Sequence, residues 1–320
     1  VTKDALDRAT DRPDTGGVPT TIPPPTPMVL DRPRPDATAS TLAVFASAIG
    51  FGFSPFFATR AFSAGVDPIA ASLLRILVLF IALAPLAPRL RGWRRESVAM
   101  FAGGAVSMLG FAGYFLALDR APVAAATVVY YTYPVVVLVL SAVVWRRPMR
   151  PREIAIAVTI LLGVALSVGP TGMTSTDALA LLPAIAAPIG WAIFLLVLSC
   201  TAVTMPIAPK ILAGAAGGVA VLLPLTLLRN GVHIAPATTD ALVAVALLTV
   251  CTLAIPVVLV TWGAPGAGDR ATGMIGSFEF VVALAVSWAL MGGGLGTLQF
   301  VGATLVVGAV VTASRSAMRA

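Results

Sequence analysis

The chain has 320 residues, of which 58% are hydrophobic and only 11% charged, with a formal net charge of +7. Mean hydropathy is +0.96. A soluble globular domain carries roughly twice that charge, so this class is excluded. The single histidine and two cysteines form no ligand cluster in sequence, which excludes an ordinary zinc or haem site.

Residues 1–40 come first and are rich in Pro, Asp and Thr, with the run Ile22-Pro23-Pro24-Pro25. Such a segment cannot bury a core and is expected to be a disordered, dispensable tail. It has neither the apolar run nor the cleavage pattern of a signal peptide.

Ten apolar stretches follow, at 41–61, 68–87, 97–118, 122–144, 154–168, 178–200, 211–228, 241–263, 271–291 and 295–313. A bilayer's hydrocarbon core is about 30 Å thick, and a helix crosses it in about 20 residues. Only helices and closed barrels satisfy their backbone there. Barrel strands alternate apolar and polar residues, and these stretches do not. The expected fold is an all-α membrane bundle of ten transmembrane helices. The lipid bilayer is therefore the first partner.

Charge orients the bundle. Loops two, four, six and eight and the C-terminus hold twelve basic residues, including Arg89, Arg91, Arg94, Arg95, Lys210 and Arg270. Loops of the other parity hold three: Arg60, Arg120 and Arg229. The positive-inside rule then puts both termini in the cytoplasm. A sequence pI near 10.2 reflects these topology determinants beside anionic lipid, with no nucleic acid implied. Cys200 and Cys251 lie in or beside apolar spans and read as small buried hydrophobes. His233 falls in an expected outer loop.

The ten spans divide at about 169–177 into 41–168 and 178–313. Five helices per half would give the halves opposite orientations, an inverted repeat with a binding site between them near mid-membrane. Weak internal similarity at a spacing of about 146 residues aligns Tyr133 with Glu279.

Few polar residues lie within the spans. Glu279 is the one acidic residue deep in a stretch, about 13 Å from its start. Buried ionisable groups in a bilayer usually line a pathway or find a partner. Glu279 is thus a candidate proton site or clasp for a substrate ammonium, against the alternative of a structural ion pair. Arg75, also near mid-depth, could hold a carboxylate bidentately or pair with Glu279; both readings stay open. Tyr114, Tyr130, Tyr131 and Tyr133 sit deep in spans three and four, away from an interfacial belt. Tyr114, Tyr130 and Tyr133 are candidate cavity-wall residues, with Tyr130 and Tyr133 on one helical face. Trp191 and Trp262 are candidates from the second half. Pro55, Pro134 and Pro256 interrupt helix interiors and are candidate break or gating positions; Pro183, Pro188 and Pro224 also fall inside spans. Gly110, Gly113 and the Gly214–Gly218 run suit close helix packing.

The chain resembles the drug/metabolite transporter superfamily, specifically its ten-helix EamA-type members, over about 41–313. Gly50, Gly52, Pro55, Arg60, Gly65, Pro68 and Arg75 are similar to that family's first-helix Gly/Pro pattern and its following Arg. Tyr131-Thr132-Tyr133-Pro134 is similar to its Glu-Pro or Tyr-Pro, and Glu279 falls at its Glu-Pro, although Phe280 replaces the proline. Gly163 and Gly308 match glycines of helices five and ten. The Gly-Glu that commonly closes helices four and nine is absent. The resemblance implies a secondary transporter, usually an exporter of amino acids or related metabolites, in a bacterial inner membrane. No loop is long enough for a nucleotide-hydrolysing domain, and no catalytic arrangement or cofactor is expected. Protons are the candidate coupling ion; the oligomeric state is open. A proton-coupled multidrug or cation exporter and a nontransporting sensor are the alternative functions.

Overall fold

The computed structural model describes residues 36–318, apart from 122, 147, 169–178, 232–233, 235, 237 and 292–295. The division expected at 169–177, His233 and most of the tail therefore lie outside the described residues. The described residues are helical, with no strand. The helices are α1 (Ala37–Gly52), α2 (Ser54–Ser63), α3 (Pro68–Leu83), α4 (Arg94–Arg120), α5 (Val123–Tyr130), α6 (Tyr133–Val144) and α7 (Pro151–Val168). After these come α8 (Ala186–Leu196), α9 (Ile207–Asn230), α10 (Thr239–Thr249), α11 (Ile255–Ala267), α12 (Asp269–Gly276), α13 (Phe278–Met291) and α14 (Thr297–Met318). A 3₁₀ segment, Ala84–Trp93, joins α3 to α4. Among the described residues, eight helical stretches, some with an internal turn, are long and apolar enough to cross a membrane, against the ten expected.

Prolines set where helices restart. Pro55 stands in the first turn of α2, directly after the break at Phe53. Pro134 opens α6 after the turn at Tyr131–Thr132. Pro256 opens α11 after the π-helical turn Val250–Ala254. In the first turn a missing N–H costs no helical hydrogen bond, which favours a turn ahead of Pro55 and Pro134 and a π-helical distortion ahead of Pro256. The break at Tyr131–Thr132 means that Tyr130 and Tyr133 belong to two helices and do not share one continuous helical face. Pro224 behaves differently from expectation, since α9 runs straight through it.

Small residues bring the helices together. In a bilayer, packing of small surfaces replaces the hydrophobic drive between helices. Gly104 of α4 lies directly on the backbone of Gly214 of α9, and Gly217 of α9 lies on the Phe101 carbonyl. On the other side of α4, a side chain on Gly110 would meet the Ala186 carbonyl oxygen at 2.6 Å. Likewise Gly190 of α8 sits against Val106 of α4. Helix α1 packs on α11, where Gly263 faces the Ser40 carbonyl. Helices α7 and α14 meet at Gly163 and Gly302, joined by a Ser167 hydroxyl that donates to the Gln299 carbonyl at 3.3 Å. Other buried hydroxyls, among them Ser72, Thr226, Thr249 and Thr252, donate to carbonyls one turn back in their own helices. That removes their need for water.

Ion pairs tie helix ends. Asp67 caps α3, accepting from the Ile69 and Ala70 N–H groups at 2.9 and 3.1 Å, and pairs with Arg229 of α9 at 2.9 Å. Burial pushes the Asp67 carboxyl up, but these hydrogen bonds and the Arg229 charge outweigh it and leave its pKa below 3.8. Arg270 of α12 donates to Glu153 of α7 at 2.7 Å, to Ser141 of α6 at 3.1 Å and to the Pro148 carbonyl at 3.1 Å. Lys210, expected in a loop, instead lies within α9 and is 2% exposed.

The Gly104–Gly214 contact can be tested against Gly92, which has open space around it. Gly104→Val should destabilise the protein by about 1–3 kcal/mol through overpacking. Gly92→Ala should leave the thermal unfolding midpoint in detergent unchanged. Equal midpoints for the two variants would contradict the close α4–α9 approach.

Candidate functional site

The site begins with two charged side chains that the membrane spans enclose. Arg75, on the third turn of α3, is 2% exposed. Its guanidinium carbon lies 5.0 Å from the Phe111 ring centre and 4.9 Å from that of Phe115, both on α4. Stacking on aromatic faces partly offsets the loss of water around a cation. Its Nε has no hydrogen-bond partner among the described residues.

Glu279 is 4% exposed. Helix α12 ends at Gly276, Ser277 forms a turn, and α13 restarts at Phe278. Glu279 therefore occupies the first turn of α13, where free N–H groups favour a carboxylate. The break forms even though Phe280 stands where a proline was expected; its N–H is directed back to the Ser277 carbonyl at 3.1 Å. Gly52 permits α1 to approach, since a side chain there would meet the Glu279 carbonyl oxygen at 2.8 Å.

No ion pair within 4.0 Å joins Arg75 to Glu279; the two pairs among the described residues are Arg229–Asp67 and Arg270–Glu153. Both charges instead face one cavity, lined also by Phe51, Pro55, Phe111, Tyr114, Tyr130, Tyr131 and Trp191. The Tyr130 and Tyr131 hydroxyls lie within hydrogen-bonding reach of the Glu279 carboxyl. The Tyr114 hydroxyl is engaged with Thr127.

The wall is a continuous aromatic shell. Tyr130 packs at 5.1 Å from Tyr114, 5.1 Å from Tyr131 and 5.7 Å from Phe111. Trp191 stacks on Phe194 at 5.5 Å and meets Phe51 and Phe111 edge-on at 5.4 and 5.8 Å. Rings at these separations attract one another beyond simple area burial, so the shell is a stiff frame.

Of the residues singled out from sequence, Arg75, Glu279, Tyr114, Tyr130, Trp191 and Pro55 line the main cavity. Tyr133 lies in a smaller cavity that shares Glu279, Phe51 and Trp191 with the main one. Pro134 lines neither cavity; Pro256 sits against Gly50 of α1. Trp262 is 38% exposed and also outside both cavities, on the bundle surface. Sequence reasoning missed Phe51, Phe111 and Phe194. Phe111 could have been found, because it sits three residues before Tyr114 on one face of α4.

Arg75→Met tests whether the guanidinium is held for structure or for a ligand. Removing one partner of a buried pair costs about 3–5 kcal/mol, whereas removing a buried charge with no counter-ion does not. The unfolding midpoint of Arg75→Met should be unchanged or raised. A fall of the size expected for a broken pair would show a structural role.

Residues 38–169 match the EamA-like transporter family. No curated protein matches the chain. One protein of known crystal structure overlays 87% of this chain and 98% of its own, with a TM-score of 0.70 at 20% identity. At that identity the likeness concerns the fold alone. The EamA-type signature of the drug/metabolite transporter superfamily thus spans residues 38–169, within a multi-pass membrane protein.

Proposed function

From the EamA-type match over residues 38–169 and the cavity's geometry, we propose that the protein is a secondary transporter that moves a small amino-acid-like zwitterion by alternating access. The observation that carries this reading is the pair of enclosed, mutually unpaired charges, Arg75 and Glu279, across one aromatic cavity. A zwitterion supplies a carboxylate to Arg75 and an ammonium to Glu279, and the rings accept an apolar side chain. Glu279 is also the candidate proton site for coupling. A site for drug-like cations is less well supported, because an uncompensated guanidinium repels them.

Two five-helix halves, 41–168 and 178–313, in inverted orientation fit the helix pairing. Helix α1 packs on α11 as α8 packs on α4, and α13 packs on α1 as α6 packs on α8. The pairs α3–α9 and α7–α14 each exchange with themselves under the same correspondence. The turns at Tyr131 and Ser277 fall at equivalent positions in the 146-residue register. This pairing supports ten membrane-spanning units, with rocking of one half on the other as the transport motion. The charge bias supports cytoplasmic termini in a plasma or inner membrane. The family resemblance favours export.

Counterflow of labelled amino acids into proteoliposomes tests this. Saturable exchange is expected for wild type, with at least about a tenfold loss in Arg75→Lys and in Glu279→Gln, each of which weakens a charge-assisted contact. Both variants should remain monodisperse. No exchange for any amino acid by wild type, or undiminished exchange by both variants, would overturn the proposal.

A further inference from the structure

A second feature lies away from the central cavity, on the surface of the Arg-rich side. A groove runs between the 3₁₀ segment Ala84–Trp93, the first two turns of α4, and α9. Arg91, Arg94 and Ser97 line one end; Leu90, Phe101 and Ala216 contribute its apolar walls. Arg94 to Phe101 spans seven residues of helix, or roughly 10 Å of rise. The groove therefore descends from the polar boundary of the bundle into its hydrocarbon-facing surface.

Its polar end is unsatisfied within the protein. Arg91 and Arg94 are exposed and take part in neither ion pair of the described residues. The Ser97 hydroxyl is enclosed and has no hydrogen-bond partner there. No side chain caps the start of α4. Glu96 is in the same first turn but does not line the groove. Two cations thus converge above an apolar trough with small residues on its α9 side.

We propose that this groove binds one anionic phospholipid from the leaflet on the Arg-rich side. The phosphate sits on Arg91 and Arg94, and one acyl chain lies along Phe101 and Ala216. Charge complementarity fixes the headgroup class, and the trough fixes a lipid over a soluble anion. General attraction of basic loops to a membrane would need no such arrangement, since any arginine on the loop would serve equally.

Native mass spectrometry of the full chain in detergent, titrated with phosphatidylglycerol or phosphatidylcholine, tests the site. One phosphatidylglycerol adduct should form on wild type and on Arg89→Gln/Arg95→Gln, which removes two exposed charges of the same region outside the groove. Its affinity should fall about tenfold in Arg91→Gln/Arg94→Gln and fall also in Ala216→Leu, which fills the trough. Phosphatidylcholine should bind more weakly, and inorganic phosphate should not compete. Equal losses in the two double variants would mean diffuse charge and overturn the site. So would an unaffected Ala216→Leu, equal phosphatidylcholine binding, or displacement by inorganic phosphate. The arginines and Ala216 are not deeply buried, so these variants should fold; gel-filtration profiles matching wild type confirm it.

Discussion

A guanidinium enclosed in a membrane bundle with no carboxylate beside it is the constraint around which the interior is organised. Charges in such places cost several kcal/mol unless something answers them. Here Phe111 and Phe115 stack against Arg75. Cation–π contacts of this kind contribute about 2 kcal/mol when desolvated, which compensates only in part. The remaining deficit is what a ligand carboxylate can relieve. Glu279 does not close the pair, because it is held across the cavity at the start of α13 with tyrosine hydroxyls nearby. A protein selected only for stability would bring the two together or replace both with apolar residues.

Keeping these charges apart depends on backbone geometry. The Ser277 turn fixes where Glu279 starts its helix, and Gly52 lets α1 come against that turn. The Tyr131–Thr132 break splits the tyrosine cluster between α5 and α6, so that Tyr130 and Tyr131 line the cavity of the two charges and Tyr133 the smaller one beside it. Glycine contacts along α4 bring α8 and α9 close enough for Trp191 and Phe194 to complete the wall. Ion pairs at Asp67–Arg229 and Arg270–Glu153 tie separate helices at their ends. Such exposed or half-exposed pairs are worth little individually, and contacts of that strength can be exchanged during a conformational change.

The membrane class and its all-helical make-up were legible because run length and low charge follow directly from bilayer thickness; among the described residues eight stretches, against the ten expected, are long and apolar enough to cross. The turns just ahead of Pro55 and Pro134 have a similarly local origin, the missing N–H, whereas ahead of Pro256 the helix continues through a π-helical turn. Arg75 and Glu279 stood out because a charge inside an apolar run is visible without any structure. Their mutual relation was not legible, since it depends on how α3 and α13 are set across the cavity. Trp191 and Trp262 looked alike in sequence; only packing separates the cavity residue from the surface one. Lys210 read as a loop cation because its helix begins earlier than the apolar run. Pro224 read as a break, yet nothing local reveals that α9 tolerates it.

Isothermal titration of the solubilised protein with phenylalanine, with phenethylamine and with 3-phenylpropionate addresses the central claim most directly. The three share a ring and differ in which charged group is present. If Arg75 and Glu279 hold opposite ends of one ligand, phenylalanine should bind saturably, and each singly charged analogue should bind at least about tenfold more weakly. If the amine or the acid alone binds as tightly as phenylalanine, only one of the two charges faces the ligand, and the account of the cavity as a zwitterion site is contradicted.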